Sequence, residues 1–229
     1  MRTIGLIGGM SWESTAEYYR LLNEMTRERL GGLNSARCVI HSVNFAEIER
    51  LQTQGRWAEA GEVLAACARS LEAAGADMVL ICTNTMHKVA DTVEAAVSVP
   101  LIHLADATAD AVRAAGLRHV ALLGTSFTME QDFYRGRLEA AGLDVRVPDA
   151  RGRALVHRVI YEELCLGVVR PESRAAYRDV IGWLVADGAQ GVILGCTEIE
   201  LLVRPGDSPV PLFPTARIHA EAAVTAALR

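Results

Sequence analysis

The chain is poor in lysine, in basic clusters and in long apolar segments, and each shortage excludes a class of function. Its 229 residues contain a single lysine, Lys88, which alone could form the Schiff base of a pyridoxal phosphate enzyme. Nothing else resembles a pyridoxal site, so we expect no cofactor. The net charge of −5 and the lack of a basic block argue against nucleic acid as a partner. No apolar run approaches the ~20 residues of a membrane span, so we expect no membrane partner.

The cysteines lack the spacing of a metal or redox site. They are Cys38, Cys67, Cys82, Cys165 and Cys196, and no two of them form a CxxC pair. The opening residues, "MRTIGLIGGMSWES", predict a first strand and not a signal peptide. We therefore expect a cytoplasmic protein with reduced thiols and no metal site.

Short apolar strands alternate with amphipathic helical segments along the whole chain. The predicted strands are "TIGLI", "CVIHSV", "DMVLI", "HVALLG", "GVILG" and "VPLF". Between them, residues 57–74 carry apolar side chains at the spacing of a helix. This alternation predicts an α/β fold with parallel sheets covered by helices.

The second half of the sequence repeats the first. "TIGLIGGMSWESTAEYYRLL" aligns with "HVALLGTSFTMEQDFYRGRL", "VLICTNTMHK" with "VILGCTEIE", and "VPLIHLADATADAV" with "VPLFPTARIHAEAAV". Three matched segments in the same order indicate a duplicated unit. We predict two pseudo-symmetric parallel-sheet α/β lobes, residues 1–99 plus 211–229 and residues 100–210. Because ligands bind at the carboxyl ends of parallel strands, we expect the active-site cleft between the lobes.

Two of the matched segments end in polar turns, which we call the first elbow (residues 82–88) and the second elbow (residues 195–200). The alignment places Thr83 opposite Cys196, so one elbow offers a hydroxyl where the other offers a thiol. Two proton-exchanging groups on opposite faces of one carbon are what stereoinversion requires. His87, one helical turn beyond Thr83, is either a hydrogen-bond donor, an orienting group or a surface histidine.

Helix starts are also predicted near these strand ends. Ser14, Thr128 and Thr197 each precede Glu or Gln by three residues, the capping-box pattern. Helix N-termini present unpaired N–H groups, so we expect a binding site for a carboxylate. At such a helix start the pKa of Cys196 should fall below its free value of ~8.5.

The sequence resembles the cofactor-independent aspartate/glutamate racemase family over essentially its whole length. The resemblance lies in "IGLIGGMSWEST", "CTNTMHK" and "GCTEI". It implies an amino acid racemase, an isomerase that inverts Cα of aspartate or glutamate and forms a homodimer. Members typically carry cysteine in both elbows, whereas this chain has Thr83 in the first. It is most similar to the branch with threonine there, which acts on both acids.

The resemblance also implies the site residues. Thr83 and Cys196 would be the catalytic pair, with Cys196 abstracting a proton, Thr83 delivering one, and the L-to-D direction favoured. Cys82 does not replace Thr83, because side chains alternate along a strand. The implied substrate-binding residues are Met10, Ser11, Gln52, Asn84, Thr85, Thr125, Thr197 and Glu198. Arg50 and Gln52 are candidates for binding the distal carboxylate of the substrate. Alternatively, both are ordinary polar residues on the exposed face of a helix. Glu198 would bind the substrate ammonium group or cap its own helix.

Two other functions fit the same sequence. A single elbow cysteine suits a decarboxylase or isomerase of a small dicarboxylate, which needs one protonating group. A two-lobed protein also binds acidic metabolites without reacting with them, because fold does not fix function.

Overall fold

The computed structural model describes residues 1–229 and contains two parallel β-sheets. The strands are β1 (Ile4–Gly8), β2 (Cys38–Ser42), β3 (Met78–Ile81), β4 (His119–Gly124), β5 (Asp144–Arg146), β6 (Gly191–Gly195) and β7 (Leu212–Pro214). The first sheet has the order β2-β1-β3 and the second the order β5-β4-β6-β7. Strands β1, β3 and β6 are buried at every residue, which explains their unbroken apolar sequences. The predicted α/β fold with two parallel-sheet lobes is confirmed.

Helices connect the strands in the predicted alternation. They are α1 (Trp12–Leu30), α2 (Phe45–Thr53), α3 (Trp57–Ala73), α4 (Ala90–Glu94), α5 (Leu104–Ala114), α6 (Ser126–Glu130), α7 (Asp132–Ala140), α8 (Ala150–Glu162), α9 (Pro171–Ala186), α10 (Ile199–Leu202) and α11 (Thr215–Ala227). Single 3₁₀ turns occupy Thr85–Val89, Leu164–Leu166 and Pro205–Asp207. None of the helices is both long and apolar enough to cross a membrane.

The duplication predicted from the sequence recurs in the hydrogen bonds of the two sheets. Strand β1 pairs with β3 as β4 pairs with β6, and both pairs are parallel. The N–H of Val79 donates to the carbonyl of Pro100 at 3.0 Å, and the N–H of Val192 donates to that of Pro211 at 2.9 Å. Each "VPL" segment therefore occupies the same place beside its own sheet.

The chain divides into a first unit, Met1–Leu104 with His219–Arg229, and a second unit, Ala105–Ile218. The predicted boundaries, at residues 100 and 211, come earlier in the sequence than the points where the chain passes from one unit to the other, after Leu104 and after Ile218. The reason is that each "VPL" segment pairs with the sheet that precedes it in the sequence. Leu101 bridges Val79 of the first sheet. Strand β7 pairs with β6 of the second sheet, and the chain returns to the first unit only at His219, within helix α11.

Candidate active site

The loop after β1 contains Met10 and Ser11, and hydrogen bonds of Thr15 stabilise the residues on either side of Met10. The hydroxyl of Thr15 accepts from the N–H of Gly9 at 2.8 Å and donates to the carbonyl of Ser11 at 3.0 Å. Gly9 has φ of +89°, and a side chain there would collide with the backbone of Val43. Ser11 is the N-cap of α1, so the helix starts one turn before the predicted capping residue Ser14. Met10 and Ser11 are both buried.

The first elbow follows β3 and separates Cys82 from Thr83. Cys82 is fully buried, and burial raises the pKa of its thiol far above the usual value. Thr83 is only partly buried, as expected if side chains alternate at the strand end. Ser14 donates its hydroxyl to the carbonyl of Cys82 at 3.2 Å, which joins the β1 loop to the elbow. These positions favour Thr83 over Cys82 as the accessible group.

His87 binds the backbone of this elbow. Its Nδ1 lies 2.8 Å from the carbonyl oxygen of Thr83, and its Nε2 accepts from the N–H of Leu104 at 3.2 Å. The ring is 3% exposed, so it is not a surface histidine. Asn84 and Thr85 are buried between Thr83 and His87. The 3₁₀ helix that begins at Thr85 is five residues long, too short to supply a substantial helix dipole at this elbow.

The side chains of Gln52 and Arg50 have different surroundings, although both residues lie on helix α2. Gln52 is 4% exposed, and its Nε2 lies 2.9 Å from the sulfur of Met86 in the first elbow. Its Oε1 is buried without a hydrogen-bond partner. Arg50 is exposed and lines a cavity of about 550 Å³ together with His41 and Glu47. Gln52 thus joins the first elbow, while Arg50 contributes to a different surface feature.

In the second unit, Thr125 follows β4 as the N-cap of α6. Its hydroxyl accepts from the N–H of Thr128 at 3.3 Å, so the cap lies three residues before the predicted one. Nδ1 of His157 accepts from the N–H of Ser126 at 3.1 Å. This bond requires an unprotonated Nδ1, and burial lowers the pKa of His157 below 6.5. Thr125 itself is 5% exposed.

The second elbow places a thiol against a carboxylate. Cys196 follows β6 directly and is partly buried. Its Sγ donates to Oε2 of Glu198 at 2.9 Å. Thr197 and Glu198 are both buried, and Glu198 precedes the four-residue helix α10. Because Gly124 of β4 pairs with Gly195 of β6, Thr125 and Cys196 leave adjacent strand ends.

The electrostatics of Cys196 are opposite to the sequence-based expectation. Burial first, and then the negative charge of Glu198, raise the pKa of the Cys196 thiol well above its ordinary value. The short helix α10 does not outweigh these two effects. The resting group is therefore a thiol with a carboxylate acceptor, and the predicted low-pKa thiolate is wrong.

The predicted site residues are divided between the two units. Met10, Ser11, Gln52, Thr83, Asn84, Thr85 and His87 belong to the first unit, and Thr125, Cys196, Thr197 and Glu198 to the second. Sequence reasoning missed Ser14 as a partner of the elbow backbone and missed Leu104 as a partner of His87. No group of three or more His, Cys, Asp or Glu side chains is arranged to hold a metal ion.

Comparison with known proteins finds one matching family and several similar structures. The sequence model of the Asp/Glu/hydantoin racemase family matches residues 7–223. The chain is similar to a candidate Asp/Glu racemase from Yersinia pestis, with 54% identity, 100% of both chains covered and a TM-score of 0.94. It is also similar to PH1733, an aspartate racemase homologue from Pyrococcus horikoshii OT3, with 36% identity, 100% of both chains covered and a TM-score of 0.88. The fold is shared with an aspartate racemase from Picrophilus torridus, at 21% identity over 99% of this chain and 94% of that one, with a TM-score of 0.78.

Proposed function

Because this chain belongs to the Asp/Glu/hydantoin racemase family, it is an amino acid racemase and hence an isomerase, and we propose that it inverts Cα of aspartate and glutamate without a cofactor. The observation that carries the proposal is the 2.9 Å hydrogen bond from the Cys196 thiol to Glu198. It pairs a proton-transfer group with its own acceptor at the end of a buried strand. Thr83 holds the equivalent position of the duplicated unit and supplies the second group.

The proposed reaction begins at the second elbow. Glu198 takes the thiol proton of Cys196, and the thiolate removes the Cα proton of the L-amino acid. The electron pair stays on the substrate as an enolate of its carboxylate. Thr83 donates its hydroxyl proton to the opposite face of Cα. Solvent then returns a proton to Thr83 and takes one from Glu198, so the enzyme is restored.

The direction of inversion follows from the unequal acidity of the two groups. A hydroxyl is a far weaker acid than a thiol and is rarely ionised near neutral pH, so resting Thr83 is a poor base for the D-enantiomer. Glu198 lies two residues after Cys196, whereas the equivalent residue after Thr83 is Thr85, which has no carboxylate. We therefore propose a higher kcat from L to D than from D to L, with KM higher for the L-enantiomer in the same proportion because the two enantiomers have equal free energies.

The remaining polar groups of the two half-sites would hold the substrate. Gln52 has a buried Oε1 without a partner, and an acceptor of this kind suits the substrate ammonium group better than a carboxylate. The proposed contacts to the two carboxylates are the backbone at Met10 and Ser11 and the side chains of Asn84, Thr85, Thr125 and Thr197. Arg50 is left out of this set because it lines a separate cavity.

The proposal is tested by proton NMR in D₂O with separate samples of L- and D-aspartate and L- and D-glutamate. Deuterium incorporation at Cα is followed together with chirality. We expect exchange with inversion, faster from the L-enantiomers. Cys196→Ala should remove both exchange and inversion, whereas Cys38→Ala, which removes a thiol at the start of β2, should leave both intact. Absence of exchange from all four substrates would refute the acidic substrates, and equal rates from both enantiomers at saturating concentration would refute the direction.

We also propose a homodimer in the cytoplasm. All five cysteines are free thiols, which fits a reducing compartment. Sedimentation velocity over a range of concentrations tests the dimer, and a single species of 24.7 kDa would contradict it.

A further inference from the structure

The buried ring of His87 lies between the first elbow and the segment that leaves the first unit. On one side, its Nδ1 is 2.8 Å from the carbonyl oxygen of Thr83. On the other side, its Nε2 is 3.2 Å from the backbone nitrogen of Leu104, the first residue of α5. The first N–H groups of a helix have no partner within the helix, and His87 provides one for Leu104. A single side chain of the first elbow therefore joins the elbow carbonyl to a backbone segment that lies 17 residues beyond His87 in the sequence.

The partners of the ring fix its protonation state. The N–H of Leu104 is only a donor, so Nε2 must be unprotonated to accept from it. The carbonyl of Thr83 is only an acceptor, so Nδ1 must carry the proton. His87 is therefore neutral, in the Nδ1–H tautomer. An added proton on Nε2 would oppose the N–H of Leu104 and break that bond.

A second histidine braces the same segment from helix α11. His219 is fully buried, and its Nε2 lies 2.7 Å from the carbonyl oxygen of Ile102. Its Nδ1 lies 2.9 Å from the hydroxyl of Tyr18 on α1. The ring centroids of His87 and His219 are 5.8 Å apart, and those of His87 and His103 are 4.6 Å apart. The segment 102–104 is thus held by histidine bonds on both sides of His103.

We propose that His87 is a positioning residue for the Thr83 hydroxyl. It fixes the position of this hydroxyl because its ring links the carbonyl of Thr83 to the N–H of Leu104 in the segment 102–104. The ring does not touch the reacting atoms in this role, because both nitrogens are bonded to backbone. Its effect would reach the reaction only through Thr83. The activity tests of this proposal rest on the proposed racemase function, whereas the tautomer test does not.

The tautomer is tested on the wild-type protein labelled with ¹⁵N in its histidine rings. Long-range ¹H–¹⁵N correlation spectra distinguish a protonated nitrogen from an unprotonated one. We expect an unprotonated Nε2 and a protonated Nδ1 for His87, assigned by loss of its signals in a His87 variant. An Nε2–H tautomer, or a doubly protonated ring at pH 7, would overturn the proposal whatever the activity of the protein.

Two matched variants separate the two bonds of the ring. In His87→Asn the amide nitrogen replaces Nδ1 and still donates to the Thr83 carbonyl. In His87→Gln the amide oxygen replaces Nε2 and still accepts from the N–H of Leu104, but the bond to Thr83 is lost. Displacing a catalytic group by about 1 Å costs ~10²-fold in rate. We expect the rate of inversion from the L-enantiomer to fall by this ~10²-fold in His87→Gln. In His87→Asn we expect it to fall by less than about 2.5-fold.

A readout on the thiol side separates positioning from general damage. Cys196 alone can exchange the Cα proton of the L-enantiomer for deuterium with retention, because this step does not involve Thr83. His87→Gln should therefore raise the ratio of retained to inverted deuterated product, while the rate of retained exchange stays close to that of the wild type. An equal fall of both rates, or equal loss in the two variants, would refute the positioning role. If the wild type itself exchanges none of the four substrates, the proposed function fails. The tautomer experiment alone then decides whether His87 links Thr83 to Leu104.

Discussion

His219 is buried with both ring nitrogens hydrogen-bonded, and this arrangement predicts a loss of stability as pH falls below 6.5. Burial lowers the pKa of His219 from 6.5 to about 3. The unfolded chain therefore binds a proton from 6.5 downwards, whereas the folded chain does not bind it until about 3. Between these values the unfolded state holds more protons, so the free energy of unfolding decreases as pH decreases.

The size of the effect follows from the shift. Each unit of pKa difference corresponds to about 1.4 kcal/mol, so His219 contributes roughly 5 kcal/mol above pH 6.5 that is lost by pH 3. About 2 kcal/mol of this is lost by pH 5. A typical domain has a total stability of ~5–15 kcal/mol, so the change is measurable by urea unfolding.

The assay compares the wild type with His219→Gln at pH 7, 6 and 5. Glutamine keeps the bond to the Ile102 carbonyl but cannot be protonated, so the stability gap between the two proteins should narrow by about 2 kcal/mol from pH 7 to pH 5. Tyr18→Phe is the matched control, because it removes the hydroxyl bonded to His219 and leaves the titrating ring in place. Its gap to the wild type should stay nearly constant. A constant gap for His219→Gln would refute the assignment of a buried neutral histidine.

Three further substitutions test the second unit. Cys196→Ser should lower Cα exchange by about 10³-fold, because a hydroxyl transfers protons less readily than a thiol; proton NMR in D₂O measures this, and exchange within tenfold of the wild type would contradict it. Glu198→Gln should lower exchange by ~10²-fold yet speed alkylation of Cys196 by iodoacetamide, because the carboxylate raises the pKa of the thiol; Glu200→Gln serves as control, and slower alkylation would refute the reasoning. Asp207→Asn should cost about 2 kcal/mol of urea stability at pH 7, because Asp207 is buried and its pKa is lowered chiefly by the bond from Arg174. This stability is present above the unfolded pKa and is lost as pH falls through the folded one, so the cost should shrink in acid; a cost that grows in acid would contradict it.

The strands and the elbows could be predicted because local sequence determines them. A strand buried on both faces is an unbroken apolar run, and the first polar residues after it mark the carboxyl end of the sheet. The N–H groups of Val79 and Val192 make equivalent backbone hydrogen bonds, which shows that the repeat found in the sequence is also present in the backbone structure. The crossovers were harder to place, because β7 has no local signal that tells which sheet it joins.

Helix starts and protonation states depend on contacts that the sequence does not display. Ser14 has a capping-box partner three residues on, but Ser11 takes the N–H of Ser14, and the helix starts one turn earlier. The pKa shift of Cys196 was predicted in the wrong direction. The orientation of the Glu198 side chain and the burial of the thiol depend on the folded structure and cannot be read from the local sequence. His219 meets Tyr18 across 201 residues, and no local pattern near either residue indicates it.

The two elbows share a backbone origin but are supported by different chemistry. In the second elbow the acceptor for the thiol lies inside the elbow, two residues beyond Cys196, so in the proposed reaction a neighbouring side chain assists proton abstraction. In the first elbow the support comes from His87, which binds the carbonyl of Thr83 and not its hydroxyl. A backbone clamp fixes position but accepts no proton from the side chain. In the proposed reaction the first elbow therefore suits the delivery of a proton from a fixed position and the second suits the removal of one, and this difference underlies the proposed preference for the L-to-D direction.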